Sequence, residues 1–281
     1  MDSFFRLAVA ATATILPMLG CDRVFYYPDQ RVRCSPADHA LRFEDVYFEA
    51  EDGVRLHGWF LPAHGNTPRG TVLHIHGNAA NITGHIDFVN WLPEAGFNVL
   101  TFDYRGYGQS GGRISREGSL RDAAAALDHL RTRSDVDRNQ IVVFGQSIGG
   151  AISIAMAAQR QGQLRAIALD STFTGYREIV SHHIRHNPAL LVLAWWFPWT
   201  VPLGHDPIDR VAQLAPTPIL IIHGRRDGIA PWPMALRLFE AAGEPKDLWL
   251  IDDMDHMQVW FEQPEESRRR LLDFYGRALK S

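Results

Sequence analysis

Residues Gln140–Gly150 read QIVVFGQSIGG, and this stretch decides the fold of the chain. Its apolar first half predicts a buried strand over Gln140–Phe144, and Ile148–Gln159 predicts a helix directly after the turn. The turn has the form Gly-x-Ser-x-Gly, in which the glycines let neighbouring backbone approach while the serine occupies a tight, strained position. The sequence therefore predicts a strand–turn–helix unit that lifts the Ser147 hydroxyl above the end of a strand.

Short apolar runs alternate with helix-like stretches on both sides of this turn. Buried parallel strands look continuous in this way because helices cover both faces of their sheet. Strands are predicted at Thr71–Ile75, Phe97–Asp103, Gln140–Phe144, Leu164–Leu169, Pro218–Ile222 and Leu248–Ile251, and helices at His85–Glu94, Ser119–Arg131, Ile148–Gln159, Pro233–Ala241 and Pro264–Ala278. Ahead of them, Phe43–Ala50 and Val54–Leu61 flank an Asp-Gly turn that is typical of a hairpin. We expect an α/β fold with a mostly parallel, doubly wound sheet that is entered by an antiparallel hairpin.

A histidine and a carboxylate should accompany Ser147, because a serine hydroxyl becomes a good nucleophile only when a base removes its proton. Asp227 lies in the loop after the strand Pro218–Ile222, and His256 lies in the loop after the last predicted strand. The carboxyl ends of parallel strands share one edge of the sheet. The order Ser, Asp, His therefore predicts Ser147 as nucleophile, His256 as base and Asp227 as the carboxylate that orients it.

Three other carboxylates, Asp252, Asp253 and Asp255, compete with Asp227 for this role. They lie so near His256 in sequence that a good contact with its ring would need an awkward local turn. Asp227, placed at a strand end, is the preferred partner.

Two backbone N–H groups are predicted to stabilise the oxyanion of an acyl-transfer reaction. Ile148 follows the nucleophile at the start of a helix, where N–H groups face a developing negative charge. The strand Thr71–Ile75 is followed by HGNAAN at 76–81, a turn of small residues whose N–H groups can face a substrate carbonyl. Asn78 is the predicted second donor, with Ala79 as the alternative.

Longer motifs surround these residues. The chain reads His-Gly-Asn-Ala-Ala-Asn at 76–81, Asp-Tyr-Arg-Gly-Tyr-Gly at 103–108, Gly-Gln-Ser-Ile-Gly-Gly at 145–150 and Ser-Thr-Phe-Thr at 171–174. With these motifs it resembles the α/β-hydrolase-domain serine hydrolases over about residues 43–280. It departs from the usual pattern at Ala80, where that branch carries Gly. The resemblance implies an α/β-hydrolase fold and acyl hydrolysis, and similar proteins include membrane-associated thioesterases and peptidase-like members.

Residues 174–210 break the alternation of strands and helices. They carry His182, His183 and His186, followed by the aromatic run Trp-Trp-Phe-Pro-Trp at 195–199. An insertion of this length is too long for a bare connection and predicts a small cap. Its aromatic side chains either pack the cap onto the body, line a pocket for an acyl chain or touch a membrane interface.

Composition and spacing argue against several other kinds of site. The chain has 28 Lys+Arg against 32 Asp+Glu, a net charge of −4, so it lacks the basic surplus that nucleic-acid binding needs. The three cap histidines have no carboxylate at a matching spacing, which disfavours a metal site. Residues 106–111 match Gly-x-Gly-x-x-Gly, but no helix opens directly after them, which disfavours a dinucleotide site. We expect no metal and no cofactor.

Residues 1–20 are predicted to be a signal peptide of the lipoprotein type. Arg6 precedes an apolar run of about 13 residues, whereas a bilayer span needs about 20. The run ends in Leu-Gly-Cys at 19–21, which resembles a lipobox and implies a lipid on Cys21 and a tether to a membrane. Asp22 resembles a signal for retention at the inner membrane. The alternative is an uncleaved apolar tail that packs on the domain.

The predicted organisation is therefore a signal peptide, a linker at 21–42 and a hydrolase domain at 43–281 that contains the cap. The predicted function is hydrolysis of an ester or thioester through an acyl-enzyme, with a small-molecule or acylated substrate. The expected location is that of an exported lipoprotein, at the inner membrane or its periplasmic face. A peptidase of the same fold, a transacylase and an inactive membrane-tethered binding module are the alternatives. The sequence does not indicate an oligomeric state.

Overall fold

The computed structural model describes residues 25–65 and 67–280. The predicted signal peptide, the predicted lipidation site Cys21 and the predicted retention residue Asp22 lie outside the described residues. In the described part, no helix is both long enough and apolar enough to cross a bilayer.

The described chain alternates strands and helices from residue 27 onwards. The strands are β1 (Tyr27–Pro28), β2 (Glu44–Glu49), β3 (Arg55–Leu61), β4 (Gly70–Ile75), β5 (Ala79–Ala80), β6 (Phe97–Phe102), β7 (Ile141–Gln146), β8 (Ala166–Asp170), β9 (Ile219–Gly224) and β10 (Lys246–Ile251). The α-helices are α1 (Ile82–His85), α2 (Arg116–Thr132), α3 (Ile148–Gln159), α4 (Tyr176–Arg185), α5 (Trp232–Ala241), α6 (Val259–Glu262) and α7 (Pro264–Lys280). Short 3₁₀ helices lie at Pro36–His39, Ile86–Phe88, Pro188–Leu193, Phe197–Thr200, Pro207–Asp209 and Val211–Leu214.

Eight of these strands form one sheet in the order β10-β9-β8-β7-β4-β6-β3-β2. β2 pairs antiparallel with β3, and β3 pairs antiparallel with β6, whereas every pairing from β6 to β10 is parallel. The predicted α/β-hydrolase fold, a mostly parallel sheet entered by a hairpin, is confirmed. The topology places the carboxyl ends of β4, β7, β8, β9 and β10 at one edge, where the loops that carry the predicted site begin.

Two apolar cores cover the two faces of the sheet. Alternate residues of one strand enter different cores, as Leu73 and Val72 of β4 do, because successive side chains of a strand point to opposite faces. Helices α2, α3, α4 and α5 pack in the first core, and α1, α6 and α7 pack in the second. The central strands are buried throughout, which explains why their sequences are apolar without alternation.

The predicted helix at His85–Glu94 is wrong. The structure has the short helix α1 at Ile82–His85, the 3₁₀ turn Ile86–Phe88 and further turns. The helix begins earlier because the Asn81 side chain caps it, accepting a 3.0 Å hydrogen bond from the Thr83 N–H. Pro93 cannot donate a backbone hydrogen bond, which is consistent with the turns that follow.

The start of α2 also differs from the predicted Ser119. The helix begins at Arg116, and Ser115 caps it by accepting a 3.0 Å hydrogen bond from the Gly118 N–H. Ser119 is buried one turn into the helix, and its hydroxyl lies 2.8 Å from the Tyr26 hydroxyl. The Ser119 hydroxyl also donates a 2.9 Å hydrogen bond to the Arg116 carbonyl within the helix, and the local sequence does not indicate its tertiary contact with Tyr26.

The described part of the predicted linker at 21–42 packs on the body. β1 pairs in parallel with β5, and the Phe25 side chain is only 7% exposed. The Phe25 ring lies 5.0 Å from the Tyr176 ring, at the first turn of α4. The chain that precedes residue 25 therefore joins the body beside the segment predicted as a cap.

Arg105, from the second motif of the resemblance, binds two carboxylates in the interior. Its guanidinium lies 2.7 Å from Asp52 and 2.8 Å from Asp122. The Asp122 side chain is fully buried and also accepts a 2.8 Å hydrogen bond from the Arg105 backbone N–H. The ion pairs hold the hairpin turn and α2 against the loop that follows β6.

We expect Arg105→Ala to lower the free energy of unfolding by about 3–5 kcal/mol, because it leaves a buried carboxylate without its partner. Urea denaturation at neutral pH measures this change. Arg269→Ala is the matched control, since Arg269 forms solvent-screened pairs on α7 with Glu266 and Asp273, and its loss should change the free energy of unfolding far less. Equal losses in the two variants would contradict the prediction.

Candidate active site

Ser147 occupies the sharp turn between β7 and α3. Its backbone angles are φ 53° and ψ −118°, in the positive-φ region that a residue with a Cβ atom seldom adopts. The Ser147 N–H donates a 2.8 Å hydrogen bond to the Asp170 carbonyl, and the Thr172 hydroxyl donates a 2.9 Å hydrogen bond to the Ser147 carbonyl. These contacts from the end of β8 hold the strained turn in place.

The two glycines of the motif allow close approach of backbone. A Cβ atom on Gly149 would lie 2.0 Å from the Ile75 carbonyl oxygen, and one on Gly145 would lie 2.8 Å from the Gly149 carbonyl oxygen. Both distances are far inside van der Waals contact. The start of α3 can therefore pack against the end of β4 only if these positions lack side chains, which is the steric reason for the motif.

The turn after β4 lies against the serine. A Cβ atom on Gly77 would lie 3.7 Å from the Ser147 Cβ atom. The Asn78 carbonyl accepts a 2.8 Å hydrogen bond from the Tyr107 hydroxyl, and Asn78 Oδ1 accepts one of 2.8 Å from the Tyr27 N–H. The Asn78 side chain thus joins the turn to β1, a contact that the sequence did not predict.

Ala80, the departure from the usual motif, adopts φ 67°. This backbone conformation favours glycine, which gives a physical reason for the glycine that similar proteins carry there. The Ala80 methyl group also lies 2.8 Å from the place where a Cβ atom on Gly84 would be. The turn keeps its path despite the added methyl group because residue 84 has no side chain.

Asp227 and His256 are in direct contact. Asp227 Oδ2 lies 2.8 Å from His256 Nδ1, and Asp227 Oδ1 accepts hydrogen bonds of 2.8 and 2.7 Å from the N–H groups of Ile229 and Ala230. His223 also lies beside this carboxylate, with Nε2 at 3.2 Å from Oδ2, and its Nε2–H donates to the Ala230 carbonyl. Asp227 is 8% exposed, and its carboxylate contacts the two imidazole rings and the two backbone N–H groups just named.

Asp227 and His256 each shift the pKa of the other. Burial raises the pKa of Asp227, but the nearby His256 and His223 outweigh burial and lower it. For His256, burial lowers the pKa, and the Asp227 carboxylate, with Asp170 and Asp255, outweighs burial and raises it. Asp227 is therefore ionised at neutral pH, and it stabilises a positive charge on the imidazole.

The rival carboxylates do not contact the His256 ring. Asp252 pairs with Arg225 at 3.0 Å, and Asp253 pairs with Arg226 at 2.6 Å, both at the surface. Asp255 Oδ1 accepts hydrogen bonds from backbone N–H groups, at 2.7 Å from His256 and 3.0 Å from Gly228. Asp255 thus shapes the loop, and the orienting contact comes from Asp227.

The segment after β8 connects the serine to the histidine loop. While Asp170 and Thr172 bind the Ser147 backbone, the Ser171 hydroxyl accepts a 3.1 Å hydrogen bond from the Met257 N–H, next to His256. The Trp260 indole N–H donates a 2.7 Å hydrogen bond to Asp170 Oδ2. Within the described chain, no hydrogen bond joins the Ser147 hydroxyl to the His256 ring. The Ser-Thr-Phe-Thr motif was the signal that could have indicated this connecting role.

His74 in β4 and His76 directly after it are buried structural groups. His74 lies 2.9 Å from both the Thr101 hydroxyl and the Gln146 side chain, and burial lowers its pKa to about 3. His76 lies 2.7 Å from the Gly77 carbonyl and stacks against the His85 ring, and burial lowers its pKa well below the usual value. Neutral, hydrogen-bonded rings of this kind support the turn after β4.

The alternative sites have no supporting geometry. Among the described residues, no group of three or more His, Cys, Asp or Glu side chains is placed to hold a metal ion. The ring centres of His182 and His186 lie 4.0 Å apart with the rings tilted, and the His186 Nδ1–H donates a 2.8 Å hydrogen bond to the His182 carbonyl. In the glycine-rich segment 106–111, the Gly106 N–H donates to the Gly111 carbonyl, and α2 begins only at Arg116. That segment is a closed turn rather than the start of a helix.

A serine on a strained strand–helix turn, with an aspartate–histidine pair from later strand ends of the same parallel sheet, is the arrangement of an α/β hydrolase. Residues 66–207 match the family Hydrolase_4, described as serine aminopeptidase, S33, and the chain belongs to this family.

Two relatives and one solved structure illustrate the similarity. The chain is 37% identical to the uncharacterized protein YfhR of Escherichia coli (strain K12), over 98% of this chain and 94% of that protein. It is 30% identical to the alpha/beta hydrolase domain-containing protein WAV2 of Arabidopsis thaliana, over 85% of this chain and 80% of that protein. The Pyrococcus furiosus esterase Pf2001 has the same fold, with a TM-score of 0.74, 23% identity and coverage of 90% of this chain and 98% of that chain.

Proposed function

We propose that this hydrolase cleaves an ester or thioester by acyl transfer to Ser147 and then to water. The observation that carries the proposal is the 2.8 Å contact between Asp227 and His256 at the sheet edge where Ser147 occupies its strained turn. The esterase fold of the structural neighbour agrees with it. The substrate is a small molecule or an acylated partner.

In the proposed first step, His256 Nε2 removes the proton of the Ser147 hydroxyl while Ser147 Oγ forms a bond to the acyl carbonyl carbon. The negative charge that develops on the carbonyl oxygen is stabilised by the N–H groups of Ile148 and Asn78, with Ala79 as the alternative to Asn78. The carbon–oxygen or carbon–sulfur bond then breaks, and the leaving group takes the proton from His256. Water repeats the sequence on the acyl-enzyme and releases the acid.

This proposal is tested by fluorophosphonate labelling of the whole protein together with hydrolysis of a series of p-nitrophenyl esters. An active serine displaces fluoride and forms a stable bond to phosphorus, so we expect one label, on the peptide that contains Ser147. We expect ester hydrolysis under the same conditions. A folded protein that neither takes the label nor releases p-nitrophenol would contradict the proposal and would favour the inactive binding module.

A peptidase activity is the second candidate, because the family match carries the description serine aminopeptidase. The same three residues would serve an amide substrate, with the amine as leaving group. Aminoacyl p-nitroanilides, compared with p-nitrophenyl esters of the same acyl group, separate the two activities. We expect kcat/KM to be higher for the ester than for the anilide, by a ratio larger than the ratio of their uncatalysed hydrolysis rates. A higher kcat/KM for the anilide would replace the ester assignment by the peptidase.

The pH profile gives a further test of His256. The base must be neutral to accept the serine proton, and the surrounding carboxylates raise its pKa above the ordinary value of about 6.5. We therefore expect kcat/KM for a non-ionising ester to fall as the pH is lowered, with a midpoint above about 6.5. A midpoint at or below that value would show that Asp227 does not stabilise the protonated ring.

We also propose that the mature protein is an exported lipoprotein with an acyl anchor on Cys21. The support is the Leu-Gly-Cys ending of the apolar run at residues 19–21. Incorporation of labelled palmitate into the wild-type protein, and its loss in Cys21→Ser, would support the anchor. Equal labelling of both forms would remove it.

A further inference from the structure

Five apolar side chains between residues 191 and 203 of the cap segment are exposed. This cap patch consists of Leu191, Val192, Trp195, Trp199 and Leu203. These side chains are 50%, 70%, 76%, 70% and 73% exposed, respectively. Two largely exposed tryptophans beside three exposed aliphatic residues are unusual on a surface that contacts only water.

None of the five cap-patch side chains belongs to either apolar core of the described chain. The inner side of the same segment already packs on the first core through Leu193, Phe197 and the fully buried Val201. The segment is therefore apolar on both sides, whereas a cap that only closed a hydrolase would expose polar residues on its outer side. Phe197 packs on the body, as one interpretation of the aromatic run predicted, whereas Trp195 and Trp199 are exposed.

The position of Trp199 is held by the cap itself. The Arg177 guanidinium lies 5.0 Å from the centre of the Trp199 ring and donates a 2.9 Å hydrogen bond to the Val201 carbonyl. Arg116 of α2 donates a 2.8 Å hydrogen bond to the Pro202 carbonyl. These bonds fix the backbone next to the exposed indole, so the cap patch is presented by an anchored segment.

The charge around the cap patch differs in sign from that of the whole chain. Residues 179–205 contain no aspartate or glutamate and carry Arg185, although the chain has a net charge of −4. Four histidines also lie there, but burial and neighbouring histidines lower the pKa of His182 and His183, so these two rings add no charge at neutral pH. The acidic residues beside this stretch are already engaged: Glu178 pairs with Arg237, and Asp206 accepts a 2.8 Å hydrogen bond from the Tyr176 N–H. Glu117 of α2 also reaches this stretch, and it lies 2.7 Å from His205. A negatively charged surface could approach the cap patch without facing free carboxylates.

The chain outside the described residues joins the body on the cap side. Residues 1–24 precede Phe25, whose ring contacts Tyr176 at the start of α4. Those residues include the apolar run and Cys21. Phe25, the first described residue, therefore lies beside the segment that presents the cap patch.

We propose that the cap patch docks on an anionic lipid bilayer, with the two indoles in the interfacial region and the aliphatic side chains in the outer acyl region. Tryptophan is the side chain best suited to this boundary, because its ring is largely apolar and its N–H binds water or lipid carbonyls. Arg185 faces lipid phosphates at the edge of the contact. The proposed contact with the bilayer involves no chemical reaction, and it does not depend on the proposed hydrolysis at Ser147.

Binding of the full chain to sucrose-loaded vesicles tests this inference. Every form carries Cys21→Ser, so that no acyl chain on Cys21 contributes, and the vesicles are phosphatidylcholine with or without about one third phosphatidylglycerol. We expect Trp195→Ser/Trp199→Ser to weaken binding to the anionic vesicles at least about tenfold, since each indole buries on the order of 150–250 Å². Tyr47→Ser, which removes an exposed aromatic on the outer strand β2, is the matched control and should bind like the parent.

Hydrogen exchange on the unsubstituted cap gives a second readout that does not depend on the folding of the double variant. We expect amides within 188–203 to exchange more slowly when anionic vesicles are present. Unchanged exchange in this segment, equal binding by the double variant and its parent, or absence of binding by folded protein would each overturn the proposal. A change from dimer to monomer in the double variant without loss of vesicle binding would also overturn it and would assign the cap patch to a second copy of the chain.

Discussion

Ser147→Ala is expected to lower kcat/KM for p-nitrophenyl esters by at least about 10⁴-fold, because no acyl-enzyme can form without the serine oxygen. The variant should also lose fluorophosphonate labelling completely. Its stability should be unchanged or slightly altered, since alanine at φ 53° is as strained as serine, and the contacts that hold the turn are made by backbone atoms. Steady-state kinetics, intact-protein mass spectrometry and thermal unfolding measure the three quantities.

Ser267→Ala is a suitable control for this loss. Ser267 is fully buried, whereas Ser147 is half-buried, and the Ser267 hydroxyl binds the backbone carbonyls of Gln263 and Pro264 at the start of α7. It should keep both labelling and activity. Labelling that persists in Ser147→Ala would show that another serine is the nucleophile, and it would end the proposed mechanism.

Asp227→Asn is expected to lower kcat by about 10⁴-fold while leaving the fold intact. The carboxylate fixes the His256 tautomer that presents a basic Nε2 to the serine, and it stabilises the imidazolium that forms. An amide in the same place loses the charge and allows the wrong tautomer. The hydrogen bonds from Ile229 and Ala230 to Oδ1 are compatible with an amide oxygen, so the loop should keep its shape.

Asp255→Asn provides the comparison that separates the two carboxylates. Asp255 lies next to His256 in sequence and is bonded to backbone N–H groups, which an asparagine oxygen can still accept. We expect a loss of less than about tenfold, as for a residue that shapes a loop without touching the reacting groups. If Asp255→Asn were as damaging as Asp227→Asn, the assignment of the orienting carboxylate would be wrong.

The lipid-docking and catalytic proposals fail independently of each other. The cap variants change a surface that does not contact Ser147, Asp227 or His256 in the described structure, so hydrolysis of a short, soluble ester should stay within about twofold of the parent. Loss of vesicle binding with retained ester hydrolysis supports docking alone. Ser147→Ala, in turn, should bind vesicles like the parent, because the serine makes no contribution to the outer surface of the cap.

The strand–turn–helix around Ser147 could be predicted because its determinants are local. The geometry of the turn is specified by neighbouring residues: the glycines at 145 and 149, the apolar strand before them and the helix after them. The parallel sheet could be predicted for a similar reason, since strands buried on both faces need uninterrupted apolar runs. Once a parallel sheet was predicted, the positions of Asp227 and His256 after later strands predicted that both lie at the same edge as Ser147.

Features that depend on contacts between distant segments could not be predicted. The packing of Phe25 against Tyr176, the bond between Ser171 and Met257 and the burial of Ser119 against Tyr26 each join residues more than 80 positions apart. The helix predicted at His85–Glu94 failed because an Asn81 cap and later turns outweighed its apolar pattern. Whether the cap aromatics pack inward or face outward also depends on the tertiary environment, since the same apolar residues suit either side.

The sequence by itself determined the class of fold, the strained serine turn and the set of residues able to supply a base and an acid, because those properties follow from residue size, backbone freedom and periodicity along the chain. Only the tertiary structure decided which carboxylate reaches the histidine, and which cap side chains are exposed. The physical reason is that a hydrogen bond or a buried surface needs two partners at contact distance, and their separation in space is set by the whole fold.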